Sequence, residues 1–343
     1  MGLCMNLAKK IFIGCCALSS AFLINASAAE KYPAIVGKNG WLFYENEFNP
    51  LIEERGVNNS IKIIEEFKDK LQTKGISLVL TLVPVKARIY SEYLPDSVKW
   101  GKAQDDRYKN WSQQIKNSGI HFVDLNTAFL NTPVRSSETP LFYRLDSHWS
   151  PVGVEIAAQT ISSNLAAIPE IDQIIKNIPT YSIKRNQAEK PRALRARDLI
   201  PLLPPEEAKK DFPLERFKPV TYEKPKISDE KLLGDVSAPS IALVGSSNSM
   251  NWTGFADDLR FYLQRDLVNV SVPADQGQWY GMINYLKSEA FQTSPPKILI
   301  WEIPERDLYA TPNFEFRDAR YRLKDADWIN TASGAITSAA QPK

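Results

Sequence analysis

Two short stretches of this chain carry residue types that could perform acyl chemistry together. The first holds Asp146 and His148, and His148 is one of only two histidines among 343 residues. A carboxylate beside an imidazole fixes the ring tautomer and stabilises the imidazolium, which suits the histidine to act as a general base. The second stretch follows the apolar run over 240–244, where Gly245 opens a Gly-x-Ser turn. A strand that ends in this way presents a serine hydroxyl, the nucleophile that such a base would serve.

Regular alternation of strands and helices is predicted to position these two stretches. The helix directly after His148 is expected to begin with Ser150 as its cap and Pro151 at its first position, and Ser60 is expected to cap an earlier helix. Short connections between the elements are typical of a doubly wound α/β sheet, which collects polar side chains at the carboxyl ends of its strands. The predicted strands cover residues 76–83, 120–125, 240–244, 267–272 and 296–303, and the main predicted helices cover residues 104–116, 151–166 and 257–264.

Five motifs follow one another along the chain, namely Gly-Lys-Asn-Gly-Trp-Leu-Phe-Tyr at 37–44, Pro-Val-Lys at 84–86, Asp-Ser-His-Trp at 146–149, Gly-Ser-Ser-Asn-Ser at 245–249 and Trp-Glu-Ile-Pro-Glu-Arg at 301–306. With these motifs in this order, the chain resembles the SGNH-hydrolase-like proteins of the alginate O-acetyltransferase family over most of its length after residue 37. Ordinary SGNH esterases place the serine near the amino terminus and the Asp/His pair near the carboxyl terminus. Here the Asp/His pair comes first, a circularly permuted order that the acetyltransferase branch shares. The resemblance implies a three-layer α/β fold with a mostly parallel sheet.

By this resemblance Ser247 is the nucleophile, His148 the base and Asp146 the orienting acid. The alternative is that Ser247 is a turn serine that caps the next helix, as its neighbours could also do. An acyl enzyme also needs N–H donors for the oxyanion of its tetrahedral intermediate. The amides of Ser247 and Gly277 are the candidates, since glycine permits close backbone approach.

Substrate-binding residues are predicted from their chemistry and from their place beside the motifs. Trp149 and Trp279 are expected to stack on sugar faces, and Lys86 and Arg306 are expected to meet carboxylates of an acidic polymer. Packing in the core or at the rim of the site is the alternative for each of these side chains. The wider set of candidates also contains Trp41, Tyr44, Arg88, Arg144, Trp252 and Tyr280.

The first 28 residues have the pattern of an export signal. Lys9 and Lys10 precede an apolar run over 11–24, and the small residues at 26–28 fit cleavage before Ala29. An uncleaved signal that anchors the protein in the inner membrane is the alternative. All three cysteines lie within the signal, which suits a periplasmic protein that needs no disulfide. Without the signal, basic and acidic residues are equal in number, which argues against nucleic acid as a partner.

The remainder is interpreted as one acetyltransferase domain over 29–330. Residues 184–231 are rich in proline and charge, and are interpreted as an insertion that runs over the surface without core elements, either as a lid or partner-binding arm or as a solvated loop. Residues 331–343 are interpreted as a disordered tail. No metal site is expected, because two distant histidines and no mature cysteine leave little beyond carboxylates as ligands. No cofactor is expected either, since the sequence contains no nucleotide-binding glycine loop.

The expected activity is O-acetyl transfer in the periplasm, through an acetylated serine, onto an exported polysaccharide such as alginate. The resemblance implies that a membrane-bound acyltransferase supplies the acetyl groups and that other proteins of an export complex are partners. Two rival hypotheses remain open. One is an acetylesterase with the same three residues, and the other is a non-catalytic polysaccharide-binding subunit of the export complex.

Overall fold

In the part of the chain that the structure describes, the strands form one larger sheet and three short antiparallel ribbons. The structure, a computed structural model, describes residues 32–48, 54–194, 196–225 and 238–342. In chain order its strands are β1 (Ala34–Val36), β2 (Leu42–Tyr44), β3 (Ser77–Val83), β4 (His121–Val123), β5 (Lys184–Gln187), β6 (Arg192–Ala193), β7 (Arg216–Phe217), β8 (Val220–Glu223), β9 (Ile241–Gly245), β10 (Val268–Ser271) and β11 (Ile298–Pro304).

The larger sheet has five parallel strands in the order β10, β9, β11, β3, β4. The central strand β11 pairs with β3 from Ile298 to Pro304, and on its other side it pairs with β9. The chain moves outward from β3 to β4 on one side and from β9 to β10 on the other. All the strands are parallel, so their carboxyl ends meet at one edge, next to the point where the order switches.

Helices cover both faces of this sheet. Among the described residues, none of them is long and apolar enough to cross a membrane. In chain order they are α1 (Glu54–Gln72), α2 (Lys86–Ile89), α3 (Lys102–Asn117), α4 (Leu125–Asn131), α5 (Pro151–Ala167), α6 (Pro169–Asn177), α7 (Pro205–Ala208), α8 (Phe255–Leu263), α9 (Gly277–Lys287), α10 (Glu289–Thr293) and α11 (Asp325–Ser338).

Two hydrophobic cores lie on opposite faces of the sheet. Alternate residues of the buried strand β3 enter them, Val79 into one core and Leu80 into the other. Helices α4, α5 and α8 pack in the first core, and α1, α3, α9 and α11 pack in the second. The structure is therefore a three-layer α/β fold with a parallel sheet, which confirms the predicted fold class.

The start of α1 differs from the prediction. The helix already runs at Glu54, and Ser60 is a buried residue inside it rather than its cap. Apolar residues at helical spacing, such as Ile61, Ile64 and Phe67, bury one face of the helix against the second core. The signal that fixes α1 is thus this apolar periodicity, which outweighs the capping preference of a single serine.

The start of α5 confirms the prediction. The Ser150 hydroxyl accepts hydrogen bonds from the amides of Val152 and Gly153, at 3.2 and 3.3 Å, and Pro151 occupies the first turn. The same hydroxyl donates to the carbonyl of Pro140 at 2.5 Å. Because this cap fixes where the helix begins, it also fixes the loop immediately before it, which contains His148.

The proline-rich insertion has more structure than the sequence suggested. Its described part forms two nested antiparallel ribbons, β5 with β8 and β6 with β7. Leu199 and Phe212 are buried and form a small third core with Leu42 and Leu145. The expectation that this stretch holds no core element is therefore wrong, because these apolar side chains anchor it against the main domain.

The interpretation of residues 331–343 as a disordered tail is also wrong for most of their length. Helix α11 continues to Ser338, and it buries Trp328, Ala332 and Ile336 in the second core. These three residues are spaced four apart, so they lie on one face of the helix. The predicted export signal at 1–28 lies outside the described residues.

Candidate active site

The proposed nucleophile lies in a tight turn after β9. This strand ends at Gly245, and residues 247–249 form one turn of 3₁₀ helix that is capped by the hydroxyl of Ser246. A side chain at Gly245 would overlap the hydroxyl of Ser249 and would lie 2.7 Å from a carboxylate oxygen of Glu302. Only glycine therefore lets the chain turn here, and the turn leaves Ser247 at the carboxyl edge of the sheet.

A fully buried carboxylate, Glu302, holds this turn in place through hydrogen bonds. Its Oε2 atom accepts hydrogen bonds from the amide of Ser246 at 2.7 Å, from the hydroxyl of Ser246 at 2.9 Å and from the hydroxyl of Ser249 at 2.9 Å. Burial raises the pKa of Glu302, and the hydrogen bonds from these serines oppose that shift. Glu302 lies in β11, so its hydrogen bonds fix the turn to the central strand of the sheet.

Three side chains form a continuous hydrogen-bonded relay at this edge. The Oγ atom of Ser247 lies 2.8 Å from Nε2 of His148, and Nδ1 of the same ring lies 2.6 Å from Oδ1 of Asp146. The amide of His148 also donates to Oδ1 of Asp146 at 3.1 Å, so the same carboxylate oxygen binds both the backbone and the ring of His148. Residues 99 positions apart in the chain thus meet at the distances that proton transfer between a serine and an imidazole requires.

A second carboxylate, Asp198, also faces the histidine. Its Oδ2 atom lies 3.3 Å from Nδ1 of His148, and both of its oxygens accept hydrogen bonds from Ser147. The amide of Asp198 donates to Oδ2 of Asp146 at 2.8 Å. Asp198 comes from the proline-rich insertion, and nothing in its local sequence marks it as part of a site.

These charges change the basicity of the imidazole. Burial alone would lower the pKa of His148, but hydrogen bonds and charge from Asp146 and Asp198 outweigh it and raise the pKa from 6.5 to about 9. Burial would raise the pKa of Asp198, but its contacts with His148 and Ser147 lower it to about 2. The site is therefore built to stabilise a positively charged imidazole.

Lys86 was predicted to bind substrate, and this prediction is wrong. The side chain is fully buried, and its ammonium donates to the carbonyls of Tyr143, Arg144 and Asp146 at 3.1, 3.3 and 2.8 Å. Burial lowers the pKa of Lys86 to about 8, while nearby carboxylates, Glu47 foremost, oppose the shift. Lys86 cannot reach a polymer from this position, but it holds the loop that carries Asp146 and His148.

The two tryptophans predicted to stack on sugars are core residues. Trp149 is buried against Phe255, and its indole N–H donates to the carbonyl of Asn248 at 3.1 Å. Trp279 is buried beside Trp301, and its indole N–H donates to a carbonyl as well. Trp149 nevertheless matters to the site, because its hydrogen bond joins the histidine loop to the serine turn.

Arg306 is largely buried, and its side chain is 13% exposed. Its guanidinium stacks over Tyr44 and lies 3.8 Å from the buried carboxylate of Glu47. Glu47 in turn accepts a hydrogen bond from the amide of Ala87 at 3.0 Å. Arg306 thus has an internal acid as a partner, and its contact with a polymer carboxylate stays a prediction.

The two candidate oxyanion donors differ in whether their amide hydrogen already has an acceptor within the protein. The amide of Gly277 already donates to the carbonyl of Pro273 at 3.2 Å, and the glycine lies against the guanidinium of Arg317. Gly277 is therefore removed as a candidate. The amide of Ser247 donates to no acceptor among the described residues, so it remains the candidate donor at the nucleophile.

The aromatic side chain that is open to solvent at the site is Trp252. It is 55% exposed, and its ring meets the imidazole of His148 edge-on, with centroids 5.0 Å apart. Trp252 lines a cavity of about 580 Å³ together with Tyr143, Asp146 and Tyr222. The sequence placed Trp252 only in the wider set of candidates, because adjacency to a motif favoured Trp149 and Trp279 instead.

Two carboxylates and the imidazole are also close enough together to be compared with a metal-ligand set. Donor atoms of Asp146, His148 and Asp198 lie within 4.8 Å of one another, close enough to surround an ion. However, these atoms already have hydrogen-bond partners. The carboxylate oxygens accept hydrogen bonds from amides or from the Ser147 hydroxyl, or they face the imidazole, and Nε2 of the imidazole faces Ser247. A metal bound to Nδ1 of His148 would have to displace the hydrogen that Nδ1 donates to the carboxylates. These three residues therefore suit a proton relay better than a metal site.

Comparison with known proteins gives a consistent result. Residues 34–305 match the family described as the SGNH hydrolase-like domain of the acetyltransferase AlgX. The chain is 31% identical over 311 residues to the probable alginate O-acetylase AlgJ of Pseudomonas fluorescens, and the match covers 88% of this chain and 73% of that protein.

Two solved structures share the fold. The O-acetyltransferase domain of Pseudomonas putida AlgJ superposes with a TM-score of 0.71 at 27% identity, covering 88% of this chain and 99% of that one. Pseudomonas aeruginosa AlgX superposes with a TM-score of 0.65 at 20% identity, covering 91% and 71%. The similarity to AlgX in structure bears on the fold alone.

Proposed function

The chain belongs to the SGNH hydrolase-like acetyltransferase family that includes AlgX and the alginate O-acetylase AlgJ, and we propose that it transfers acetyl groups through Ser247 onto hydroxyls of an exported polysaccharide. The observation that carries this proposal is the 2.8 Å contact between Ser247 Oγ and His148 Nε2, in a ring whose other nitrogen meets Asp146. The names of the relatives favour alginate or a similar polymer as the acceptor.

The first half-reaction acetylates the serine. His148 Nε2 accepts the proton of Ser247 Oγ while that oxygen forms a bond to the carbonyl carbon of the acetyl donor. The bond between this carbon and the leaving group then breaks, and the leaving group takes the proton from Nε2. The amide of Ser247 is the available donor for the oxyanion of the intermediate. The products are an acetyl ester on Ser247 and a neutral His148.

The second half-reaction reverses these roles. A sugar hydroxyl gives its proton to His148 Nε2 and its oxygen bonds to the ester carbonyl carbon. The bond to Ser247 Oγ breaks, and Oγ recovers the proton from Nε2. The sugar leaves with the acetyl ester, and Ser247 is regenerated.

Trp252 is the proposed platform for the acceptor sugar. An apolar sugar face can cover the exposed indole, which lies beside His148 and borders the cavity with Tyr143 and Tyr222. A sugar bound there would exclude water from the ester and bring a hydroxyl toward His148. This placement favours transfer over hydrolysis, because both reactions need the same three residues and differ in which hydroxyl arrives.

The proposed setting is the periplasm, reached by the predicted signal at 1–28. The acetyl groups would come from a membrane-bound acyltransferase, and other proteins of a polysaccharide export complex would be further partners. The near balance of charge in the mature chain leaves nucleic acid outside this proposal.

The test is product analysis with an activated acetyl ester, in the presence and absence of an alginate oligosaccharide. The wild-type protein is expected to yield acetylated sugar, and Ser247→Ala is expected to yield none. Ser163→Ala, which changes an exposed serine on α5, is the matched control and is expected to behave as wild type. Acetate as the sole product with oligosaccharide present would assign an esterase, and full turnover by Ser247→Ala would refute the mechanism.

A further inference from the structure

The insertion contributes one side chain to the site that the reaction described above does not use. Asp198 lies between Leu199, which anchors the insertion in the third core, and the ribbon that precedes it. Its side chain is 39% exposed, so it faces both the solvent and His148. Although it is partly exposed, Asp198 is held by several hydrogen bonds, which distinguishes it from an ordinary surface carboxylate.

The contacts of Asp198 are specific. Its Oδ1 accepts from the amide of Ser147 at 2.6 Å, and its Oδ2 accepts from the hydroxyl of the same serine at 2.6 Å. Its own amide donates to Oδ2 of Asp146 at 2.8 Å. Asp198 thus holds the residue between Asp146 and His148 and also fixes the second oxygen of Asp146, which turns the first oxygen toward the ring.

The Nδ1 nitrogen of His148 consequently faces two acids. Asp146 Oδ1 lies at 2.6 Å and Asp198 Oδ2 at 3.3 Å, on the same nitrogen. Three other charged groups lie nearby. Lys86 of α2 binds the loop carbonyls through its ammonium, Glu215 before β7 accepts from the amides of Arg144 and Leu145, and the guanidinium of Arg306 interacts electrostatically with Asp198. The nucleophile turn contributes only the neutral Ser247 to the opposite side of the ring.

We propose that Asp198 is a second positioning carboxylate of the active site, which orients the Asp146–His148 loop and stabilises the imidazolium that forms when Ser247 loses its proton. The inference rests on the proposed function. It assigns to the proline-rich insertion the role of completing the site, in addition to covering part of the domain. Asp198 touches no reacting atom, so it acts through His148.

This role predicts a shift in pH dependence whose direction follows from charge. His148 must be neutral to accept the proton of Ser247, so acetylation is expected to rise with pH through the pKa of His148, which is about 9. Removing the charge of Asp198 removes one of the two attractions that raise this pKa. The rate of acetylation should then rise at a lower pH than in the wild type. Its plateau value should fall, because the imidazolium is less stabilised.

The experiment compares the wild-type protein with Asp198→Asn by NMR titration of the histidine rings and by the pH profile of serine acetylation. Only two histidines are present, so His121 serves as an internal reference that the substitution leaves unchanged. Asp211→Asn, an exposed residue in the same insertion, is the matched control and is expected to match wild type. We expect the pKa of His148 to fall by about one unit or more in Asp198→Asn, a tenfold loss of proton affinity.

Two results would overturn the inference. One is an unchanged titration of His148 in Asp198→Asn, whatever happens to activity, because a purely structural role for Asp198 gives that result. The other is the same shift in Asp211→Asn, which would indicate a general effect of surface charge. The ring titration needs no substrate, so it decides the inference even if Ser247→Ala shows the proposed function to be wrong.

Discussion

Replacing Glu302 tests whether the serine turn depends on a buried carboxylate in the central strand. Glu302→Ala is expected to destabilise the protein and to abolish acetylation of Ser247. The substitution leaves the amide of Ser246 and the hydroxyls of Ser246 and Ser249 without the acceptor that they share. Each unsatisfied buried donor costs about 1–3 kcal/mol, and the cavity adds to that cost, so the expected loss of unfolding free energy is about 3 kcal/mol or more.

Glu302→Gln is the matched control. The amide keeps the volume of the side chain and one oxygen, which can take the place of Oε2 and accept from the same three donors. We therefore expect its stability to lie within about 1 kcal/mol of wild type at neutral pH. The comparison separates the loss of the acceptor from the loss of the charge.

The charge of Glu302 is expected to make the stability of the protein depend on pH. Burial raises the pKa of Glu302 above its ordinary value of 4.5, so the folded protein binds this proton more tightly than the unfolded chain does. Ionising the group therefore costs folding free energy, and the wild type should lose stability relative to Glu302→Gln as the pH rises past 4.5. Urea unfolding below pH 4.5 and at neutral pH measures the difference. A Glu302→Ala protein as stable as wild type, with normal acetylation, would refute the reasoning.

Three further substitutions test the surroundings of the relay. Lys86→Met should slow acetylation at least about tenfold and lower the urea midpoint, because three carbonyls lose a buried donor. Gly245→Ala should lower the unfolding free energy by about 1–3 kcal/mol and remove most of the activity, since the added methyl overlaps Ser249. Gly334→Ala in α11 is the control, because its methyl contacts no other atom, and it should leave stability unchanged or raise it. Trp252→Ala should raise the KM for oligosaccharide several-fold, with Trp252→Phe intermediate, in steady-state transfer assays; an unchanged KM would remove the proposed sugar platform.

The parts of the site that follow local rules could be predicted from the sequence. A buried apolar strand that ends in Gly-x-Ser predicts a hydroxyl at the sheet edge, and Ser150 with Pro151 predicts the helix start that fixes the loop of His148. In a parallel α/β sheet the helices begin at the same edge at which the strands end, so the sequence places both stretches at that edge, and the family resemblance pairs Ser247 with His148.

The predicted substrate contacts of Trp149, Trp279 and Lys86 failed because adjacency in sequence does not determine the direction of a side chain. Trp149 follows His148 directly, yet it points into the core, whereas Trp252 is exposed above the ring. Lys86 carries a charge that suggested a surface, but carbonyls of the neighbouring loop surround its ammonium. Burial of a charged group depends on partners from distant segments, which no local pattern reveals.

Asp198 and α11 were missed for different reasons. Asp198 lies in a stretch whose prolines and charges are typical of a surface loop, and its partners are about fifty positions away. The spacing of Trp328, Ala332 and Ile336 was visible in the sequence, but the many small residues around it obscured the apolar face.

The most direct test of the central claim is to trap the acetyl group on the protein. After brief reaction with an activated acetyl ester and an acid quench, peptide mass spectrometry should find one acetyl group on the peptide that contains Ser247. His148→Ala should show far less of this adduct and Ser247→Ala none. Acetyl transfer to sugar that continues in Ser247→Ala, or an acetyl group that accumulates on another residue as transfer proceeds, would contradict the account.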